Sequence, residues 1–281
     1  MLPPRTVGLD WFCARVAARE PTTFSRWGDG EWTAVLGRRR HGQNCDGHRF
    51  FPAMGGELKQ VLLARPDHPL GLQSLALRVL PEVPDWIAQN YLTDLDWVDA
   101  DVFHHASGRG ELGRLVAELR KVPVVLVGPP HLHRPLKDVL GYAEHVIVPP
   151  QNCYLALKDL ATATLGALER LPAGAVAAIS ASMPAKLLVA ALHKKVGRRH
   201  SLIDFGSVWD FYAGVRSRGY MRAMAQGGRD GTAELRGEDA GRPGQDARPA
   251  EVEGDGRGRA VEEGGPPAQD DGEAGGQGRG P

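Results

Sequence analysis

The sequence predicts one doubly wound α/β domain built on a mainly parallel sheet, and three observations lead there. Short apolar runs alternate with longer amphipathic stretches, the strand-then-helix rhythm of such folds. Several of the runs, such as "VVLV" before Gly128, are continuously apolar instead of alternating, which suits strands buried on both faces. Every Lys, Trp, Tyr, Phe, Cys and His precedes residue 227, so the material for a core sits in one block.

In chain order, strands are expected at "TTFSRW" (22–27), "PLGLQ" (69–73), "VPVVLVG" (122–128), "HVIVP" (145–149), "AVAAIS" (175–180) and "HSLIDFG" (200–206). Helices are expected at 10–19, 55–64, 85–91, 109–121, 132–140, 154–171 and 184–196, the last with Pro184 well suited to a first helical position. The rhythm is clear from Val122 to Tyr212 and poorly legible from Phe51 to Ala106. No period of repetition suggests a solenoid or propeller.

Composition divides the 281 residues into a folded part, 1–226, and a tail, 227–281. The tail holds 16 Gly, 7 Arg and 13 acidic residues with a single Leu and no aromatic, so it is expected to stay disordered: it cannot bury enough apolar surface to offset the entropy of ordering. Its charge of −6 leaves +6 on the body, so a neutral total conceals a basic body and an acidic tail. Three widely spaced cysteines, Cys13, Cys45 and Cys153, make no disulfide framework and point to a reducing compartment. No apolar run reaches membrane-spanning length, and the N-terminus lacks the apolar core of a signal peptide. A soluble, cytoplasmic protein without integral membrane contact is therefore expected.

In sheets of this kind ligands sit outside the carboxyl ends of the strands. That rule selects the loops "GDGE", "GPPHLHR", "PPQNCY", "SASMP" and "GSVWD". The first belongs to "FSRWGDGEW" (24–32), which ends a strand and opens a helix, with carboxylates at Asp29 and Glu31 between Gly28 and Gly30. Two hard oxygen ligands on a tight turn suit Mg²⁺ or Mn²⁺, whose remaining ligands a diphosphate would supply. The same residues also suit a helix start, with Asp29 as cap and Glu31 favoured by the helix dipole. Spacing alone leaves both readings open.

The whole segment "RWGDGEW" resembles the Arg-aromatic-Gly-Asp-Gly-Glu signature of the GT-D-fold glycosyltransferases. "VPVVLVGPPHLHRPLKDVL", "EHVIVPPQNCY", "AVAAISASMPAKLLVAALHKK" and "SLIDFGSVWD" are similar, in order, to that family's later strand, loop and helix segments. The loop "SASMP" departs from the expected Gly-Pro-Thr type. The resemblance implies a Rossmann-like GT-D fold, a metal at Asp29 and Glu31, and a nucleoside diphosphate sugar, a UDP-sugar, as donor. Donor contacts are then expected from Arg26, Gly28, Gly30, Gly128, His131, His133, Arg134, Ser180 and Ser182. The helix starts after Gly128 and Ser180 would add backbone N–H groups for an anion.

Transfer by direct displacement needs a base for the acceptor hydroxyl, and Asp210 is the preferred candidate, with Asp204 next. A turn-capping role for Asp204 competes equally. Asp46 and His48, in "NCDGHRFFP", lie near the site or form a solvated Asp-Gly turn. Trp11, Trp27, Trp32 and Trp86 read as core, whereas Trp209 in a ligand-edge loop reads as a sugar platform. His104, His105, His131 and His133 lack the partner spacing of a structural zinc site. Arg38, Arg39 and Arg40, and Lys194, Lys195, Arg198 and Arg199, form basic clusters that suit either solvated helix ends or DNA phosphates.

The sequence thus points to a metal-dependent glycosyltransferase using Mn²⁺ or Mg²⁺. The acceptor is either a glycan or glycoprotein or a hydroxymethylated DNA base. The competing reading from another class is a noncatalytic nucleotide-binding module whose acidic tail recruits a partner.

Overall fold

A computed structural model describes residues 4–38, 49–229 and 231. Among them the chain runs α1 (Leu9–Ala17), β1 (Thr23–Trp27), α2 (Asp29–Val35), α3 (Pro52–Leu63), β2 (Leu70–Leu72), α4 (Ser74–Val79), α5 (Val83–Gln89) and β3 (Trp97–Asp99). It continues through α6 (Val102–Gly108), α7 (Leu112–Leu119), β4 (Val124–Gly128), α8 (His133–Leu140), β5 (Glu144–Ile147), α9 (Leu157–Glu169) and β6 (Val176–Ile179). The last described elements are α10 (Ala185–Val196), β7 (Ser201–Asp204), α11 (Val208–Tyr212) and α12 (Gly219–Gln226). Short 3₁₀ turns, Pro130–Leu132 and Cys153–Ala156, lead into α8 and α9.

Seven strands form one sheet in the order β3-β2-β1-β7-β6-β4-β5, and every strand pairing is parallel. All six expected strands are present with slightly trimmed ends. The seventh, β3, was not expected; it is three residues long, follows Asp96 and itself ends in Asp99, so its apolar signal is minimal. The region 51–106 was poorly legible for the same reason: it is cut into short elements, α4, α5, β3 and α6, each of seven residues or fewer. The helix expected over 109–121 splits, because Arg109 caps α6 and only 112–119 form α7.

The central strands β4, β6 and β7 are buried throughout; β4 and β6 accordingly read as unbroken apolar runs, while β7 carries Ser201 and the buried Asp204 at its ends. One core layer packs α1, α6, α7, α8 and α11 on one face, with Phe12, Phe24, Phe103 and Phe205 in mutual ring contact. The other face holds α2, α3, α9 and α10 over two further clusters. The links after β1 and β6 therefore leave on one face, and those after β4 and β7 on the other. Connections that diverge in this way open a crevice at the carboxyl ends of β1, β7, β6 and β4.

The described chain stays attached to the body through Arg229, whose guanidinium donates to the carbonyls of Gly108 (2.7 Å) and Ser107 (2.9 Å). Of the expected tail, 227–281, residues 227–229 and 231 are described; the rest of it, and Arg39, Arg40, Cys45, Asp46 and His48, lie outside the described residues. Among the described residues no helix is long and apolar enough to cross a membrane.

Candidate functional site

The loop after β1 brings Gly28, Asp29, Gly30 and Glu31 to the crevice, as the sequence suggested, with Asp29 and Glu31 in the first turn of α2. Their environments differ. Glu31 reaches back along its own helix, where Oε2 accepts the Gly28 N–H at 2.9 Å, the back half of a capping box. Its Oε1 lies 2.7 Å from Lys186 Nζ, and that ammonium is also 3.1 Å from Asp204 Oδ2. Asp29 is half-buried, and its carboxylate has no partner among the described residues, its backbone N–H donating to Gln73 Oε1 at 3.3 Å.

Lys186 is the residue that sequence reasoning missed. It sits in the first turn of α10 and is buried like the apolar residues around it. The signal was present: one lysine inside the apolar run "AKLLVAAL" either snorkels out or meets a buried acid. Burial on its own would lower the Lys186 pKa, but the negative charges of Asp204 and Glu31 outweigh burial and hold it above its ordinary value.

Asp204, the second base candidate, is fully buried at the end of β7. Its Oδ2 accepts the Arg26 N–H at 3.1 Å and its Oδ1 the Gly206 N–H at 2.9 Å, besides the contact with Lys186. It has no free oxygen and no route to an acceptor, so the structure corrects that assignment: Asp204 positions the turn. Arg26 turns its side chain toward the end of β3, where Nε donates to the Ala100 carbonyl (2.6 Å) and Nη2 to Asp101 Oδ1 (3.2 Å). Gly206, at φ +59°, lies so close to Arg26 Nη1 that any side chain there would displace the guanidinium.

Asp210, in α11 after β7, and His131, in the 3₁₀ turn after β4, meet on the same side of the crevice. His131 Nε2 lies 2.9 Å from Asp210 Oδ1, and Ser217 Oγ donates to Asp210 Oδ2 at 2.6 Å. The His131 ring is 38% exposed and its other nitrogen, Nδ1, is unpaired among the described residues. A carboxylate that fixes one imidazole nitrogen leaves the other able to take a proton. Arg134, in the first turn of α8, is exposed and unpaired among the described residues.

Ser180, at the end of β6, has its Oγ buried with no partner among the described residues, next to Gly128 at the end of β4. A buried orphan hydroxyl at the ligand edge is an observation in favour of a bound group there. Two residues further, Ser182 adopts a left-handed backbone at φ +51°, which a serine rarely does, and the strain falls in the loop expected to touch the donor.

Other expectations fare differently. His133 is held on the β5 side: its Nδ1 lies 3.0 Å from His145 Nδ1 and 2.8 Å from Tyr142 Oη. Trp209 is fully buried between Phe205 and Tyr212, so it is core and offers no platform for a sugar. Trp27 and Trp32 are buried, and Trp11 and Trp86 pack partly buried on the core, as expected. Lys194 and Lys195 lie in the last turn of α10 and Arg198 and Arg199 just beyond it, at the amino ends of the strands and therefore across the sheet from the crevice.

Two solved structures share this architecture. One is described as a new glycosyltransferase carrying the domain of unknown function 1792, from Streptococcus sanguinis; it is 15% identical, covers 81% of this chain and 87% of its own, and superposes with a TM-score of 0.56. The second is described as the highly conserved domain of unknown function 1792 with a distinct glycosyltransferase fold, at 14% identity, 74% and 80% coverage and a TM-score of 0.51. This chain has that glycosyltransferase fold. No protein-family model and no curated protein matches the sequence. At this identity the likeness extends to the fold, and the chemistry rests on the side chains described above.

Proposed function

We propose that this protein is a glycosyltransferase that moves a sugar from a nucleoside diphosphate sugar, a UDP-sugar, to an acceptor hydroxyl in the crevice at the carboxyl ends of β1, β7, β6 and β4. The observation that carries this reading is the His131–Asp210 pair, poised at the sheet edge that also presents Asp29, Ser180 and the start of α10. The likeness to glycosyltransferase folds supports it.

In this reading His131 takes the acceptor proton on Nδ1 while Asp210, kept in place by Ser217, holds the ring through Nε2 and stabilises the imidazolium. Asp210 thereby becomes a positioning residue, and the imidazole is the group at the reacting atom. Arg134 and the free N–H groups at the start of α10 attract the diphosphate. The Ser180 hydroxyl gains the partner it lacks.

The donor set decides where Mn²⁺ or Mg²⁺ fits. Asp29 fits, as a carboxylate with no competing partner among the described residues. Glu31 does not, because both of its oxygens are engaged, one by the Lys186 ammonium and the other by the Gly28 N–H. A cation at Asp29 would help neutralise the leaving diphosphate. Lys186 instead keeps two buried carboxylates and three loop-bearing elements in register.

Of the two acceptor classes, the placement of the basic residues favours a glycan or glycoprotein. The cluster 194–199 lies at the sheet edge opposite the crevice, and Arg38, the described member of the other cluster, is paired with Glu82. The reading is tested by following nucleoside diphosphate release from a panel of nucleotide sugars with Mn²⁺ or Mg²⁺, with glycan acceptors and with hydroxymethylated DNA.

A further inference from the structure

Asp67, His68 and His193 come together at the amino ends of β1 and β2, far from the crevice. Asp67 and His68 lie in the link between α3 and β2, and His193 lies on the last turn of α10. One ligand atom from each lies within 4.8 Å of the others. We propose that these three residues form a zinc site that fastens the start of β2 to the end of α10.

Several independent features point to a metal. His68 is buried at 6% exposure, and its Nδ1 is inaccessible with no hydrogen-bond partner among the described residues. Its ring centroid is 4.6 Å from that of His193. The His68 ring gains little from packing beside His193 without a bond between them, whereas a shared cation would give it a partner. His193 is already oriented as a metal ligand would be: Nδ1 lies 2.8 Å from Thr23 Oγ1, and Nε2 faces Asp67 Oδ1 at 2.7 Å. Ligating histidines generally have their second nitrogen held by such a hydrogen bond.

The chain also makes room for that ring. A side chain on Gly197 would run into His193 Nδ1 and Cε1, so glycine at this position is what permits the imidazole to turn toward Asp67. Asp67 is 74% exposed, which leaves a fourth position open to water. Two imidazoles and one carboxylate are a donor set that suits Zn²⁺ better than Mg²⁺ or Ca²⁺, which prefer oxygen alone. Holding all three ligand atoms at roughly 2 Å from one ion draws them closer together than they lie here, and the exposed Asp67 carboxylate is the one with room to move.

The test uses the full chain, stripped with a chelator and dialysed against Zn²⁺, with Co²⁺ as a spectroscopic substitute. The wild type should take up one Zn²⁺ per chain at this site and show the visible absorption of Co²⁺ bound by nitrogen and oxygen. Asp67→Asn and His68→Gln should each weaken uptake at least about ten-fold and change the Co²⁺ spectrum. Zinc should raise the melting temperature of the wild type and not that of the variants. Should His68→Gln fail to fold, Asp67→Asn, at an exposed side chain, still decides. No Zn²⁺ uptake by the wild type, or uptake and spectra unchanged in Asp67→Asn, would overturn the proposal.

Discussion

Lys186 Nζ lies 2.7 Å from Glu31 Oε1 in a setting from which both side chains are almost wholly withdrawn from water, 5% and 10% exposed. With Asp204 at 3.1 Å the ammonium has a second acid, so one buried cation holds together the helix after β1, the helix after β6 and the end of β7. Glu31 is therefore a structural element of the crevice wall, and Asp29 alone of the two motif acids faces the ligand side without a partner among the described residues.

Replacing Lys186 with Met should destabilise the protein by about 3–5 kcal/mol, since it strands two buried carboxylates. Denaturant unfolding measures it. Glu31→Gln, which keeps the shape and removes one charge of the triad, should be milder than Lys186→Met. A loss below about 1 kcal/mol for Lys186→Met would show that the triad is not a stabilising unit.

His131→Ala should lower kcat by about 10²- to 10⁴-fold while leaving the melting temperature close to wild type, because the ring is partly exposed and supplies proton transfer. Asp210→Asn should lower kcat less and shift the pH profile, as expected for a group that acts through the imidazole. Equal losses with a large drop in melting temperature would instead mark the pair as a structural clamp between the loops after β4 and β7.

Ser180→Ala separates ligand binding from folding. An unpaired buried hydroxyl is worth about 1–3 kcal/mol of unfavourable desolvation, so its removal should leave the free protein as stable or more so. The donor KM should rise in the same variant. A stability loss with unchanged KM would mean that Ser180 has a structural partner.

Stability should fall as pH drops below the ordinary histidine value. Burial, followed by the positive charges of Arg26 and Arg218, holds the His104 pKa well below 6.5. The unfolded chain then binds a proton that the native state does not, so stability is lost as pH falls through 6.5 toward the native value. His145 and His200 are shifted the same way by burial, and His105, raised by its hydrogen bond to Asp99, opposes them. Urea midpoints across that range should slope less in His104→Gln. An unchanged slope would remove His104 as a main contributor.

Much of the fold was legible because its signals are local. Continuous apolar runs marked β4 and β6, and the Gly-Asp-Gly-Glu turn marked the start of α2 at the ligand edge. What failed is nonlocal or directional. Loop placement put Trp209 and Asp204 at the crevice, but only packing shows that both face inward. The ion pair of Glu31 was not visible because its partner Lys186 lies on a helix far along the chain. The His193–Asp67 contact joins residues 126 apart, beyond any spacing rule.

The most direct measurement is nucleoside diphosphate release from UDP-sugars, with Mn²⁺ or Mg²⁺, by wild type, Asp29→Asn and His131→Ala. A glycosyltransferase using this crevice should release UDP from a sugar donor in the wild type, faster when a suitable glycan is present, and should lose that turnover in both variants while remaining folded. Binding of UDP without any sugar release across the donor panel, or wild-type turnover in both variants, would contradict it and favour a nucleotide-binding module instead.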